Sequence, residues 1–334
     1  MKNIIKLPII LWTLLSLIVY ASVLVSPEVF KYSGLISFGI PFIICINLVF
    51  VILSGVFKWR FGFVALALLL VGWPFIRVGL SIGGSNDIEK EGIRVLNYNV
   101  KWFVDAKEND YQSVVDWVNG VEADIISFQE FYPGKRIAQR IAENGSYNVS
   151  MDKGRSTNAI FSKYPIINDG LLLEKDKLNN IRFVDLVIEQ DTIRVYGVHL
   201  QSMGINPDKI QDSEGIKNEY EDIRSRFVFS SASRTGQIQI LLNHAKKCSY
   251  PKMVIGDFND VPFSYNYFQF REDFSNAFEE QGRGIGATFN NKIPYLRIDN
   301  QFFTQEFSLK SFSTVGDIYY SDHFPLIGIY ELSN

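Results

Sequence analysis

The 334 residues carry 33 Lys and Arg against 36 Asp and Glu, and only two cysteines, Cys45 and Cys248. Two distant thiols exclude a disulfide-rich scaffold and a Cys-x-x-Cys zinc or redox centre. Residues 1–80 hold six basic residues and one acid, Glu28, leaving 27 basic and 35 acidic residues in the remainder; an acidic remainder argues against tight, nonspecific gripping of nucleic-acid phosphates.

Residues 7–27 and 35–57 contain no charge, and residues 61–76 are uncharged up to Arg77. About 20 apolar residues suffice to cross the hydrocarbon core as a helix, so the sequence predicts a membrane region over 1–80 with three helices, at about 7–27, 35–57 and 61–80. Lys2 and Lys6 before the first run and the small pair Ala21-Ser22 also suit a cleaved signal peptide, but two further apolar spans follow at once. Lys2, Lys6, Lys58 and Arg60 place the N-terminus and the 58–60 loop in the cytoplasm. Three crossings then deliver the rest of the chain to the periplasmic or extracellular side of a cell membrane.

Residues 81–91 begin with Ser-Ile-Gly-Gly-Ser-Asn-Asp and read as a linker. From residue 92 the pattern changes to short β-rich runs alternating with amphipathic stretches. Strands are expected at 93–99, 123–130, 158–162, 181–189, 192–200, 251–257, 296–303 and 323–330, with a hairpin at Asp191-Thr192. Helices are expected at 110–119, 134–143 and 217–246. This interleaving predicts one α/β layered domain over 92–334.

Polar residues gather at the ends of the apolar runs: Asn97-Tyr98-Asn99-Val100, Gln129-Glu130, Val198-His199-Leu200, Gly256-Asp257-Phe258-Asn259-Asp260, Arg297-Ile298-Asp299-Asn300 and Ser321-Asp322-His323-Phe324-Pro325. In layered α/β folds such residues converge on one rim. Carboxylates such as Glu130 and Asp322 suit Mg²⁺. A histidine beside an acid, as in Asp322-His323 or through Asp299, suits a general base. Asp257 and Asn259, at alternate strand-like positions, are expected to share a face. Each piece has a plainer reading: Glu130 as a solvated rim charge, Asp-x-Asn as a capped turn, His199 as a structural histidine. The ordered set outweighs them. His244, in a basic helical stretch, reads as structural or exposed.

Together these motifs resemble the endonuclease/exonuclease/phosphatase family over about residues 92–331. The resemblance implies a four-layer α/β sandwich with two central, mainly antiparallel β-sheets, here preceded by three transmembrane helices, and an Mg²⁺ site (Mn²⁺ as substitute) at one end. It further implies Glu130 as principal metal ligand, Asn99 orienting metal and phosphate, and Asp322 as an auxiliary ligand. Asp257 would align the attacking water, Asn259 stabilise the phosphoryl oxygens, and Asp299 polarise His323 as base or phosphate contact. His199 would bind phosphate or assist the leaving group, and Asn158 border the site. Asn300 stands where an aromatic residue is common in the family.

The implied activity is Mg-assisted phosphoester hydrolysis by a membrane-anchored enzyme without an obligate protein partner. The substrate stays open among phospholipid, small phosphorylated molecule and nucleic acid, the last as a DNA or RNA nuclease. A non-catalytic membrane sensor on the same fold is the rival from another class. Arg182, Arg234 and Gln237 read as solvated or ion-paired surface groups with phosphate contact as the alternative. Phe263, Tyr265, Tyr267 and Phe268 are candidates for a lipid-facing patch.

Overall fold

The computed structural model describes residues 6–84, 91–103, 111–131, 135–151, 157–174, 178–204, 213–289 and 296–333. Its uncharged N-terminal runs form helices α1 (Lys6–Ala21), α2 (Ser33–Ser37), α3 (Ile40–Phe57), α4 (Gly62–Val71) and α5 (Trp73–Gly79). Two stretches, Leu7–Leu24 and Ser33–Phe57, are long and apolar enough to cross a membrane, and α4 with α5 makes a third if that pair is one span. Leu14, Ile18, Phe42, Ile52 and Leu70 all point outward. Such a surface opposes solvation in water and suits hydrocarbon.

The single helix expected over 61–80 is instead bent by 61° between α4 and α5. Pro74 in the first turn of α5 has no N–H for the carbonyl four residues back, and its ring displaces that carbonyl. At the break, a Cβ on Gly72 would come within 2.7 Å of the Tyr20 hydroxyl, so only glycine admits that contact. The second expected helix is likewise interrupted between Ser37 and Ile40, ahead of Pro41.

The remaining elements are β1 (Ile93–Asn99), α6 (Tyr111–Gly120), β2 (Ile125–Gln129), α7 (Lys135–Gly145), β3 (Asn148–Met151), β4 (Ala159–Ser162), β5 (Ile166–Leu171), β6 (Asn180–Ile188), β7 (Asp191–His199), α8 (Ser213–Lys246), β8 (Lys252–Asp257), α9 (Tyr265–Phe270), β9 (Ser275–Asn276), α10 (Ala277–Gln281), β10 (Asp299–Phe303), β11 (Phe307–Thr314) and β12 (Leu326–Leu332). They build two six-stranded sheets, in the orders β11-β12-β1-β2-β4-β3 and β5-β6-β7-β8-β10-β9. Among the described residues only β1–β2 and β7–β8 are parallel pairs.

Alternation along the strands sorts the core into layers. Val95, Ile125, Val195 and Ile255 fill the space between the sheets. Leu96, Tyr98 and Phe128 face outward onto Val114, Val118 and Ile141 of α6 and α7. Tyr196, Val254 and Phe302 face Ile238 and Leu241 of α8 and Tyr267 of α9. The result is the expected four-layer sandwich. A buried polar tie crosses it: Gln301 of β10 donates to Asn97 Oδ1 of β1 at 2.9 Å and accepts from the Tyr330 hydroxyl at 2.6 Å.

Strands β3, β5, β9 and β11 and helices α9 and α10 were not anticipated. Of these, β5 is mostly exposed and β9 is two residues long, so neither carries an apolar run. The hairpin turn lies at Glu189-Gln190, with Glu189 left-handed at φ 54°, just before the Asp191-Thr192 pair expected there.

The apolar N-terminal helices are tied to the sandwich. Arg297 donates from Nη2 to the Val78 carbonyl near the end of α5 at 2.6 Å. Ser81 pairs with Gly284 through two backbone hydrogen bonds of 3.0 and 2.8 Å. Residues 81–84 are therefore pinned and not a free tether, while 85–90 lie outside the described residues. Gly34 of α2 packs on Ser231 of α8 so closely that a Cβ would meet the serine Oγ at 2.5 Å. The sandwich thus sits beside α2 and the end of α5. Tyr267 is buried and Phe268 packs edge-on against Phe75 of α5, so these two rings face the chain's own residues and not lipid.

Candidate active site

Parallel pairing brings strand ends to one rim. Asn99 lies beside Gln129 across β1–β2, and His199 beside Asp257 across β7–β8. The antiparallel β8–β10 pair sets Asp299 opposite Asp257. Asn99 then bridges the two sheets, its Nδ2 donating to Asp257 Oδ2 at 2.9 Å and to Glu130 Oε1 at 3.2 Å. His199 Nε2 is 3.6 Å from Glu130 Oε1 and 3.9 Å from Asp257 Oδ2. His323 Nε2 is 3.9 Å from the same Asp257 oxygen, and its Nδ1 lies 2.8 Å from Asp299 Oδ2. All are buried except Glu130, whose side chain is 29% exposed and forms the accessible mouth.

The backbone around this rim is left-handed at several non-glycine residues: Glu130 (φ 50°), Asn259 (φ 50°) and the run Lys101, Trp102 and Phe103 (φ 40°, 59° and 54°). Such strain costs on the order of 1–3 kcal/mol per residue and collects where side chains must be aimed. Gly256 has φ 135°, and a Cβ there would lie 2.2 Å from the Val198 carbonyl. The glycine before Asp257 is therefore demanded by the close approach of β7.

Asp257 sits almost without solvent. Burial, then the nearby Asp299 charge, pushes its carboxyl up to about 6, against the pull of His323, His199 and the Asn99 hydrogen bond. His323 moves the other way relative to neutrality. Burial alone would lower it, but Asp299, as charge and as hydrogen-bond partner, with Asp257 and Asp322, holds it up to about 10. Two neighbouring groups are thus pushed toward opposite roles, the acid toward accepting a proton and the imidazole toward keeping one.

The structure separates the expected residues by role. Asn99, Glu130, His199, Asp257, Asp299 and His323 converge. Asn259 is not on a strand face with Asp257, because β8 ends at Asp257. Instead it folds back, donating from its backbone N (2.8 Å) and Nδ2 (3.1 Å) to the Asp257 carboxylate, as an Asx-type turn does. His323 pairs with Asp299, not with its neighbour Asp322, whose Oδ2 instead takes a 2.8 Å ion pair from Lys101. Asn158 is buried and donates to the backbone carbonyl of Asn180 at 2.7 Å, bracing the end of β6.

Arg182 and Arg234 are buried ion-paired groups, not solvated ones: Arg182 faces Asp169 and Arg234 faces Asp260. Gln237 accepts from the Gln201 backbone N at 2.9 Å. His244 is structural, its Nδ1 2.9 Å from the Tyr196 hydroxyl. Three contributors were missed. Lys101 is one. Asn179 lies 3.2 Å from His199 Nε2. Ser321 donates to the Asn99 carbonyl at 2.8 Å and accepts from the His323 N. Ser321 stood inside a recognised motif, but Asn179 has no local signal.

A sequence profile described as the endonuclease/exonuclease/phosphatase family matches residues 96–323, a span holding every site residue above. The chain belongs to this family. Residues 2–79 match a second profile, described as a domain of unknown function (DUF8431). Comparison with curated proteins gives no match.

Among solved structures, the fold is shared by an endonuclease/exonuclease/phosphatase from Bacteroides vulgatus, at 17% identity and TM-score 0.53, covering 73% of this chain and 100% of that one. D. rerio TDP2, complexed with single strand DNA product, gives 14% identity and TM-score 0.54 over 72% of this chain and 100% of that one. A mannosyl-6-phosphatase of Bacteroides thetaiotaomicron gives 18% and 0.51, over 72% and 100%. Members of the endonuclease/exonuclease/phosphatase family are phosphoester hydrolases that typically use a divalent metal.

The residues present fit such an ion. Asp257, Asp299 and His323 offer ligand-type atoms within 4.8 Å of one another, Glu130 adds a reachable carboxylate, and Asp299 Oδ1 is buried without a hydrogen-bond partner among the described residues. Because His323 Nδ1 faces Asp299, that pair reads as a carboxylate–imidazole couple, and the donors left for a cation are the hard oxygens that Mg²⁺ prefers.

Proposed function

We propose that this chain is a membrane-anchored phosphoesterase that hydrolyses phosphodiester or phosphomonoester bonds with Mg²⁺. The observation that carries the reading is the meeting of Glu130, Asn99, His199, Asp257, Asp299 and His323 from six separate segments. Glu130, with Asn99 beside it, would hold the metal, with Asp322 available if Lys101 releases it. When bound, the ion would polarise the phosphoryl oxygens and neutralise developing charge.

The chain's own groups supply the rest. Asp257, with its raised affinity for a proton, takes the proton of the attacking water as the water oxygen bonds to phosphorus. His323, held protonated by Asp299, donates from Nε2 to a phosphoryl oxygen. His199 stands across Asp257 to give a proton to the leaving oxygen as the old ester bond breaks. Asn259 and Asn99 hold the Asp257 carboxylate in place through the hydrogen bonds already described.

The test is turnover of bis(4-nitrophenyl) phosphate by the full chain in detergent. Mg²⁺ or Mn²⁺ should support it and a chelator should abolish it. Turnover indifferent to chelation would remove the metal from the reading, and no turnover with either ion would remove the enzyme.

The anchoring half rests on the outward-facing leucines and isoleucines of the N-terminal helices. With α4 and α5 together taken as a third crossing, the basic residues at 2, 6, 58 and 60 favour a catalytic domain on the periplasmic or extracellular side. A reporter enzyme joined after residue 84 should be active outside the cytoplasm, and activity only inside would reverse the orientation.

A further inference from the structure

Where the membrane helices meet the sandwich lies a cavity of about 440 Å³, within the roughly 300–1,000 Å³ typical of ligand pockets. Its walls include Phe42 and Cys45 from the first half of α3, Ile76 from α5, Val261 and Phe263 from the loop after β8, and Arg297. Apart from Arg297 the lining is apolar. Phe42, 64% exposed, and the exposed Cys45 stand on the flank that α3 turns outward, so this flank of the cavity adjoins the surface given to hydrocarbon.

Two chain segments connect the cavity to the catalytic rim. Val261 follows Asn259 by two residues and Arg297 precedes Asp299 by two, each a reach of at most about 7 Å along the backbone. Arg297 is itself buried, with Nη2 spent on the Val78 carbonyl and the Tyr267 hydroxyl. Its Nε and Nη1 have no hydrogen-bond partner among the described residues. The guanidinium is buried and lies 3.9 Å over the Phe278 ring, so it braces the wall from behind and leaves the surface of the cavity apolar.

We propose that this cavity seats a hydrocarbon chain of a membrane phospholipid, so that its phosphoester reaches the Asp257–His323 rim sideways from the bilayer. The inference rests on the membrane-anchored phosphoesterase reading and narrows its substrate to lipid. It also accounts for the pinned junction: a chain-binding wall shared by α3, α5 and the 261–263 loop holds its shape only if the helices and the sandwich stay in register.

The test uses the full chain reconstituted in phosphatidylcholine and phosphatidylglycerol vesicles, with headgroup release measured beside turnover of soluble bis(4-nitrophenyl) phosphate. Cys45→Trp and Ile76→Trp fill the cavity from two different helices, neither of which contributes a rim residue. Each should lower kcat/KM on the vesicle phospholipid by about tenfold or more, because remote binding energy is lost, and leave the soluble substrate unchanged. Undiminished lipid turnover in both variants, or equal losses on both substrates in both, overturns the proposal. Wild-type protein that cleaves the soluble diester or plasmid DNA but no phospholipid also overturns it, while leaving the phosphoesterase standing. Wild-type protein inactive on every substrate removes both.

Discussion

Replacing His323 with alanine should lower kcat on a soluble aryl phosphodiester by about 10²–10³-fold, the usual effect of deleting one preorganised donor to a charged transition state. The imidazole is buried between Asp299 and Asp257, and Asp299 and its other acidic neighbours hold it protonated despite burial. It therefore presents a fixed N–H where phosphoryl charge develops. Because Asp299 acts through the ring, Asp299→Asn in the alanine background should add little further loss, whereas two independent contributors would multiply. His323→Asn keeps a donor toward Asp299 and serves as the folding control. Wild-type kcat in His323→Ala with an unaltered melting profile would remove His323 from the chemistry.

Glu130→Gln should reduce Mg²⁺-supported turnover by roughly 10²–10³-fold, corresponding to several kcal/mol of charge stabilisation at the phosphoryl group. The change conserves shape and removes one charge at the exposed mouth. Its second readout is thermal. Wild-type protein in detergent should gain stability on adding Mg²⁺, by about 2.7 kcal/mol at a hundredfold excess over the dissociation constant. The variant should gain little. An equal Mg²⁺-induced rise in both proteins would place the cation elsewhere.

The site residues were legible to unequal degrees. Glu130, His199, Asp257, Asp299 and His323 each end or flank an apolar run, and a run long enough to be a buried strand announces where its polar terminus must lie. Contacts between those termini are another matter. That Asn99 joins Glu130 to Asp257, or that His323 turns to Asp299 and leaves Asp322 to Lys101, depends on strands up to 221 residues apart in sequence coming into register. Asn179 is of this kind, since it reaches His199 only because β6 pairs with β7. Likewise, Arg182 and Arg234 carry no sequence mark of burial, because an acid partner brought by the fold is what permits it.

Composition and local pattern by themselves determined the division of the chain into an apolar helical part and an alternating α/β part, and the order of the polar strand ends. Those properties follow from hydrophobic runs and periodicity, which are local. The tertiary structure alone decided the close seat of Gly72 against Tyr20, the clamp of Arg297 on Val78 and the apolar cavity beside it. Each depends on which surfaces meet, and the packing that chooses them sums over residues from every part of the chain.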